Sequence, residues 1–220
     1  MGFGHRGIKN ALVVIILTVI NGCGPPEDPV THLLDDAHLA SWQPAGIPDE
    51  GTVHVSANLI ELEAGKPMSG VKFSAWKAPN FPFTDYAIEY EAMRLAGRDI
   101  FGMVTFPVGD AGTHATFVLG GWGGTVTGIS NIDFSDANEN QTRGELPFEN
   151  DRWYRVKVEV RPDVLRAWID DRLVVNVSIR GRHISLRPGY ADHCLPFGFA
   201  TWHTGAVIRG VTVTRLRPEL

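Results

Sequence analysis

The chain has 220 residues, 20 Lys and Arg against 25 Asp and Glu, a formal net charge of −5, and 44% apolar residues. That length supports one domain with a proper core. A mildly acidic chain without a basic run excludes nucleic acid as a partner, because phosphate binding needs clustered Lys or Arg.

Met1–Asn10 carries Arg6 and Lys9 and no acid, and Ala11–Ile20 is unbroken by charge. An apolar run this short does not span a bilayer, which needs about 20 residues; the charged-then-apolar layout is that of a secretory signal. The run ends Ile20-Asn21-Gly22-Cys23, which resembles the bacterial lipobox. The resemblance implies that residues 1–22 are removed and that Cys23 receives a diacylglycerol. The protein is then lipid-anchored to the cell envelope, outside the cytoplasm. Gly rather than Asp at position 24 favours the outer membrane under the sorting rule that goes with the motif. Residues 23–32 read as a tether, since Pro25, Pro26 and Pro29 favour extended chain. With Cys23 lipidated, Cys194 has no disulfide partner and reads as a small buried apolar residue.

Residues 33–220 read as one all-β domain. Val30–Ser41 admits a short helix, and no other stretch sustains a 3.6 period. Strands are predicted at Val53–Ser56, Asn58–Glu63, Val71–Trp76, Tyr86–Arg94, Gly102–Phe106, Ala115–Gly120 and Thr125–Ile129. Trp153–Arg161 alternates most cleanly, with Tyr154, Val156, Val158 and Val160 on one face and Arg155, Lys157, Glu159 and Arg161 on the other. Val164–Ile169 follows, and Asp170-Asp171 suits a two-residue turn into Leu173–Val177. Phe197–Trp202 and Val207–Leu216 complete the series. Many short antiparallel strands at this spacing predict a two-sheet β-sandwich or jelly roll, with the first and last strands paired.

Leu34-Asp35-Asp36…Leu39-Ala40-Ser41-Trp42, Asp85–Glu91, Trp153-Tyr154-Arg155-Val156 with Ala167–Asp171, and Gly198–Gly205…Ile208–Val211 stand in an order that resembles the 3-keto-disaccharide hydrolase domain family. The resemblance spans Leu33 to Leu216 and implies a concanavalin A-like antiparallel β-sandwich. Two strands of the family's pattern are replaced here, near Ile100–Met103 and at Phe117–Gly124. The fold therefore carries over better than the activity.

Glu89 and Glu91 stand two apart on a predicted strand, so they share a face, with Ile88 and Tyr90 on the other. Same-face carboxylates can form an acid/base pair; a solvated strand face is the plainer alternative. Gly120–Gly124 surrounds Trp122 and precedes a loop rich in oxygen donors: Asp133, Asp136, Asn138, Glu139 and Asn140. An indole that stacks on a sugar ring beside oriented Asn, Asp and Glu is the composition of a carbohydrate cleft. A core tryptophan beside an Asx-rich turn is the alternative. Asp133, Asp136 and Asn138 are also hard ligands suited to calcium, without EF-hand spacing. Trp202 and His203 lie near the last strand, where the resemblance places a site histidine.

Two functions follow from these residues. One is a hydrolase of 3-keto-glycosides: the resemblance implies that a carboxylate base, Glu91, takes the acidified carbon-2 proton and the aglycone leaves from carbon 1. Water then adds to the enone, with Asp133, Asn138 and Glu139 or His203 orienting the sugar. The other is a non-catalytic glycan-binding surface module that uses Trp122 and needs no base. A structural partner within an envelope complex is a third.

Overall fold

A computed structural model describes residues 1–2, 29–189 and 191–219. Cys23, the signal and most of the tether lie outside the described residues.

The described strands, in chain order, are β1 (Val30–His32), β2 (Trp42–Pro44), β3 (Val53–Ser56), β4 (Leu59–Leu62), β5 (Met68–Phe73), β6 (Tyr86–Ala96), β7 (Phe101–Pro107), β8 (His114–Gly121), β9 (Val126–Ser130), β10 (Gly144–Glu145), β11 (Trp153–Val160), β12 (Val164–Ile169), β13 (Arg172–Ser178), β14 (Gly198–Trp202) and β15 (Gly205–Arg215). They form two antiparallel sheets. The first has eight strands in the order β13-β12-β11-β6-β15-β4-β3, with β1 beside β15; the second has seven, β10-β9-β8-β7-β14-β5-β2.

β1 pairs with the end of β15 through Val30–Thr214 and His32–Thr212, so the first and last strands meet as expected. Residues 30–32 therefore belong to the sheet rather than to the tether. The helix admitted within Val30–Ser41 reduces to one 3-10 turn at Leu39–Ser41. Its neighbour Trp42 is instead drawn into the core, its indole N–H donating to the Leu33 carbonyl (2.7 Å).

The first sheet follows its sequence pattern. Tyr154, Val156, Val158 and Val160 are buried, and Arg155 is exposed. Asp170 and Asp171 turn the chain with φ of 48° and 66°, the paired positive values of a tight type I′ hairpin. The second sheet is different, because β7, β8 and β9 are buried on both faces. Phe101, Val104, Phe106, Phe117, Leu119 and Ile129 face the inter-sheet core. On the far side Met68, Met103 and Ala200 pack with Ala45, Ile47 and Cys194 in a smaller cluster. A 3-10 turn at Ala191–Cys194 brings Cys194 onto that outer face. Burial pushes its thiol up to about 12, so at neutral pH it is a packing residue rather than a nucleophile.

Candidate functional site

A cleft of about 420 Å³ opens on the outer face of the second sheet. Its floor comes from alternate positions of four adjacent strands: Thr116 and Val118 of β8, Ser130 of β9, Met103 of β7 and Trp202 of β14. Met68 of β5 and Ile100 extend the apolar lining. Trp122 stands at one side, and Arg187, Pro188, Gly189 and Ala191 line it from the segment that crosses the sheet. An apolar cavity of this size with a few polar groups has the form of a small-molecule site.

Trp122 is held there by its turn. It is 37% exposed and sits at φ 50°, a left-handed conformation that is rare for a bulky residue. The Gly124 and Thr125 N–H groups close the turn on the Gly121 carbonyl (3.2 Å each). Gly124 could not be another residue, since a Cβ there would lie 2.3 Å from the Arg98 carbonyl oxygen. Beneath the turn lies the buried Arg94, whose Nε donates to Asn150 Oδ1 (2.6 Å) and which also donates to the Phe148 carbonyl. Burial lowers the pKa of its guanidinium.

Asp99 locks the turn from the other side. The Gly123 N–H donates to its Oδ2 (3.1 Å) and the Ile100 N–H to its Oδ1 (2.9 Å). Both oxygens of this cleft carboxylate are therefore engaged by backbone. The Arg187 guanidinium carbon lies 5.5 Å from the Trp122 ring centroid, and Arg187 pairs with Asp136 (3.4 Å). Trp202 meets the His203 ring edge-on (5.5 Å, 84°).

Of the residues singled out from sequence, Trp122 and Trp202 line the cleft together. Asp136 touches it only through Arg187. His203 is exposed at the β14–β15 turn, with its N–H donating to the Pro67 carbonyl, and does not line the cleft. Asn140 is buried and fully occupied: its Nδ2 donates to the Ile129 and Ser135 carbonyls (2.7 and 3.1 Å), and its Oδ1 accepts from Thr142. It shapes the loop and offers nothing to a ligand. Asn138 accepts from Arg143 Nε (3.1 Å), and Glu139 is exposed away from the cleft lining.

The calcium expectation does not fit this donor set. The His183 N–H and the Arg182 guanidinium hold the Asp133 carboxyl below the usual carboxylate range. Asp136 is taken by Arg187 and by the Asn138 N–H (2.9 Å). Among the described residues no three His, Cys, Asp or Glu side chains gather as a metal site. A cation would have to displace two arginines.

Glu89 and Glu91 do share a face, with Ile88 and Tyr90 in the core. That face is the outer face of the first sheet, on the opposite side of the sandwich from Trp122, across a core about 10 Å thick. Nor are they an isolated pair. Glu91 accepts from Arg209 Nε (2.7 Å), which lies over the Trp153 ring (3.9 Å), and Glu89 meets Lys157 (3.5 Å), near Trp168. The register explains this, since Glu91 stands opposite Arg155 and Arg209, and Glu89 opposite Lys157. Each carboxylate is interleaved with cations, as cross-strand pairing favours.

Sequence reasoning missed Asp99, Arg187, Met103, Thr116 and Ser130. Arg187 lies in a segment without periodicity, and the others become a site only when β7, β8, β9 and β14 pair.

No family model matches the chain, and no curated protein matches it in sequence. Solved structures do. The carbohydrate-binding module CBM66 from Bacillus subtilis superposes with a TM-score of 0.53 at 18% identity, covering 79% of this chain and 95% of that one. The beta-glucanase of Bacillus licheniformis gives a TM-score of 0.54 at 9% identity, over 88% of this chain and 100% of that one. A Crh5 transglycosylase in complex with NAG gives 0.54 at 10%, over 88% and 86%. At these identities the likeness establishes the fold: the chain is an all-β, concanavalin A-like two-sheet jelly-roll sandwich.

Proposed function

We propose that this protein is a non-catalytic carbohydrate-binding module that holds a neutral glycan in the Trp122–Trp202 cleft. One observation carries the choice of binding over cleavage. Among the described residues the cleft has a single lining carboxylate, Asp99, and both of its oxygens already accept backbone N–H groups. Most glycosidases use a pair of carboxyls flanking the bond, and a 3-keto-glycoside hydrolase needs a free base beside carbon 2. Glu91, the base implied by the resemblance, faces the other side of the sandwich and is paired with Arg209.

The cleft offers what binding requires. Two indoles and the Met68, Met103 and Val118 side chains supply apolar surface for the C–H faces of a sugar. The Thr116 and Ser130 hydroxyls are engaged with Thr105 (3.1 Å) and Asn131 (3.0 Å) and keep the capacity to accept a hydrogen bond from a sugar hydroxyl. The charges nearby are internally satisfied, Arg187 by Asp136 and Asp99 by backbone, which favours an uncharged ligand. Solved structures of the same fold include a carbohydrate-binding module and glycan-processing enzymes, which is consistent with a sugar at this face.

We further propose that the chain is exported and anchored through a diacylglycerol on Cys23, which puts the cleft against envelope polysaccharide. Incorporation of labelled fatty acid, lost in Cys23→Ser, tests the anchor.

For the cleft, the full chain is titrated with cello-, chito- and fructo-oligosaccharides while tryptophan fluorescence is followed. It is also incubated with a 3-keto-disaccharide and its unoxidised parent, with products read by mass spectrometry. Saturable binding without cleavage is expected. Cleavage of the 3-keto sugar would overturn the binding assignment in favour of the hydrolase.

A further inference from the structure

A second aromatic lies exposed beside the cleft. Phe134 is 79% exposed, and it and Trp122 are the exposed aromatic hydrophobics among the described residues. Phe134 does not line the cleft. Its ring stacks on His183 at 4.5 Å and 24°, so one face is covered and the other is presented to solvent.

The presentation is built rather than incidental. Asp133 and Phe134 occupy consecutive left-handed positions, with φ of 50° and 67°, the paired values of a tight turn, in which a bulky residue such as Phe134 is rare. Here the loop tip is closed by reciprocal hydrogen bonds between Ile132 and Ser135 (3.0 Å each), and the Asp133 N–H donates to the His183 carbonyl (2.8 Å). The Asp133 carboxylate returns the contact by accepting from the His183 N–H (2.8 Å) and from Arg182. Asp133, which looked like a sugar or calcium ligand in sequence, thus serves to aim a phenyl ring.

The two aromatics are also joined. Ser130, on the cleft floor, precedes Phe134 by four residues, a span of at most ~14 Å of backbone. Asp136, two residues past Phe134, holds Arg187, which lies over Trp122.

From this continuity we infer that the Phe134–His183 stack is a second sugar subsite and that the ligand is a glycan chain rather than a single terminal sugar. The inference rests on the carbohydrate reading of the cleft. A short ligand fills the cleft and touches Trp122, and a longer one continues past the Arg187–Asp136 pair onto the phenyl face. A ring so exposed adds nothing to the core.

The test compares disaccharides with hexasaccharides of the cello, chito and fructo series by calorimetric titration of the full chain. Wild type is expected to bind the hexasaccharide of its preferred series about tenfold more tightly than the disaccharide. Phe134→Ala should erase that preference, leave disaccharide affinity and the melting temperature unchanged, and be rescued by Phe134→Trp. A length preference that survives Phe134→Ala overturns the second subsite and leaves the cleft intact. Failure of wild type to bind any member of the three series overturns the carbohydrate reading, and this inference with it.

Discussion

Replacing Trp122 with Ala separates recognition from folding. The indole is 37% exposed. Taking roughly 250 Å² for a whole tryptophan side chain leaves about 90 Å² available to a ligand. Covering that area at ~25 cal/mol per Å² is worth about 2 kcal/mol, or close to thirtyfold in Kd. Arg187 also loses the ring beneath it, but its pair with Asp136 remains. Stability should change little, because Ala at φ 50° meets the same backbone restriction as Trp. Trp122→Gly should lose affinity equally and melt slightly higher than Trp122→Ala, since glycine adopts that φ freely. Calorimetry with the tightest oligosaccharide, paired with thermal melts of all three proteins, gives both quantities. An affinity within twofold of wild type would refute the assignment of Trp122 as the sugar platform.

Glu91→Gln is expected to leave oligosaccharide affinity unchanged and to cost at most about 1 kcal/mol of stability, because the Arg209 pair is partly exposed; chemical denaturation alongside the binding assay checks both. The fold should weaken in alkali. Burial raises the pKa of Tyr86, Tyr90 and Cys194, so the unfolded chain releases these protons first. Their contribution is complete below the unfolded values and is lost as pH rises toward the folded ones. For Cys194, whose thiol is pushed from its ordinary 9.0 up to about 12 in the folded state, the loss reaches a few kcal/mol. Melting temperatures should hold from pH 7 to 8 and then fall, less steeply in Cys194→Ala. A native Cys194 that reacts with a thiol reagent at pH 8 as fast as a free thiol would contradict its burial.

The first sheet was legible because one of its faces meets water. Tyr154 to Val160 alternates with charge, and the Asp170-Asp171 turn announces itself by residues that tolerate positive φ. The second sheet was harder to read. Phe101–Pro107 and His114–Gly121 are buried on both faces, so period two is blurred by Met103, Val118 and Ala200 packing under the crossing segment. The same difference explains the site. Trp122 was visible through its flanking glycines. Glu89 and Glu91 looked catalytic because their spacing was visible and the cations interleaved with them from β11 and β15 were not. Asn140 and Asp133 looked like ligands for a similar reason: Asx side chains that shape a turn and Asx side chains that bind a sugar read alike until their partners are known.

Four of the six tryptophans lie on the outer faces of the sandwich, Trp122 and Trp202 at the cleft and Trp153 and Trp168 on the other sheet, which makes their indole N–H resonances the most direct probe of where the ligand binds. On titration with the hexasaccharide of the preferred series, the Trp122 and Trp202 signals should shift while those of Trp153 and Trp168, beside Glu91 and Glu89, stay in place. Shifts confined to Trp153 and Trp168 would put the ligand on the other sheet and contradict the account.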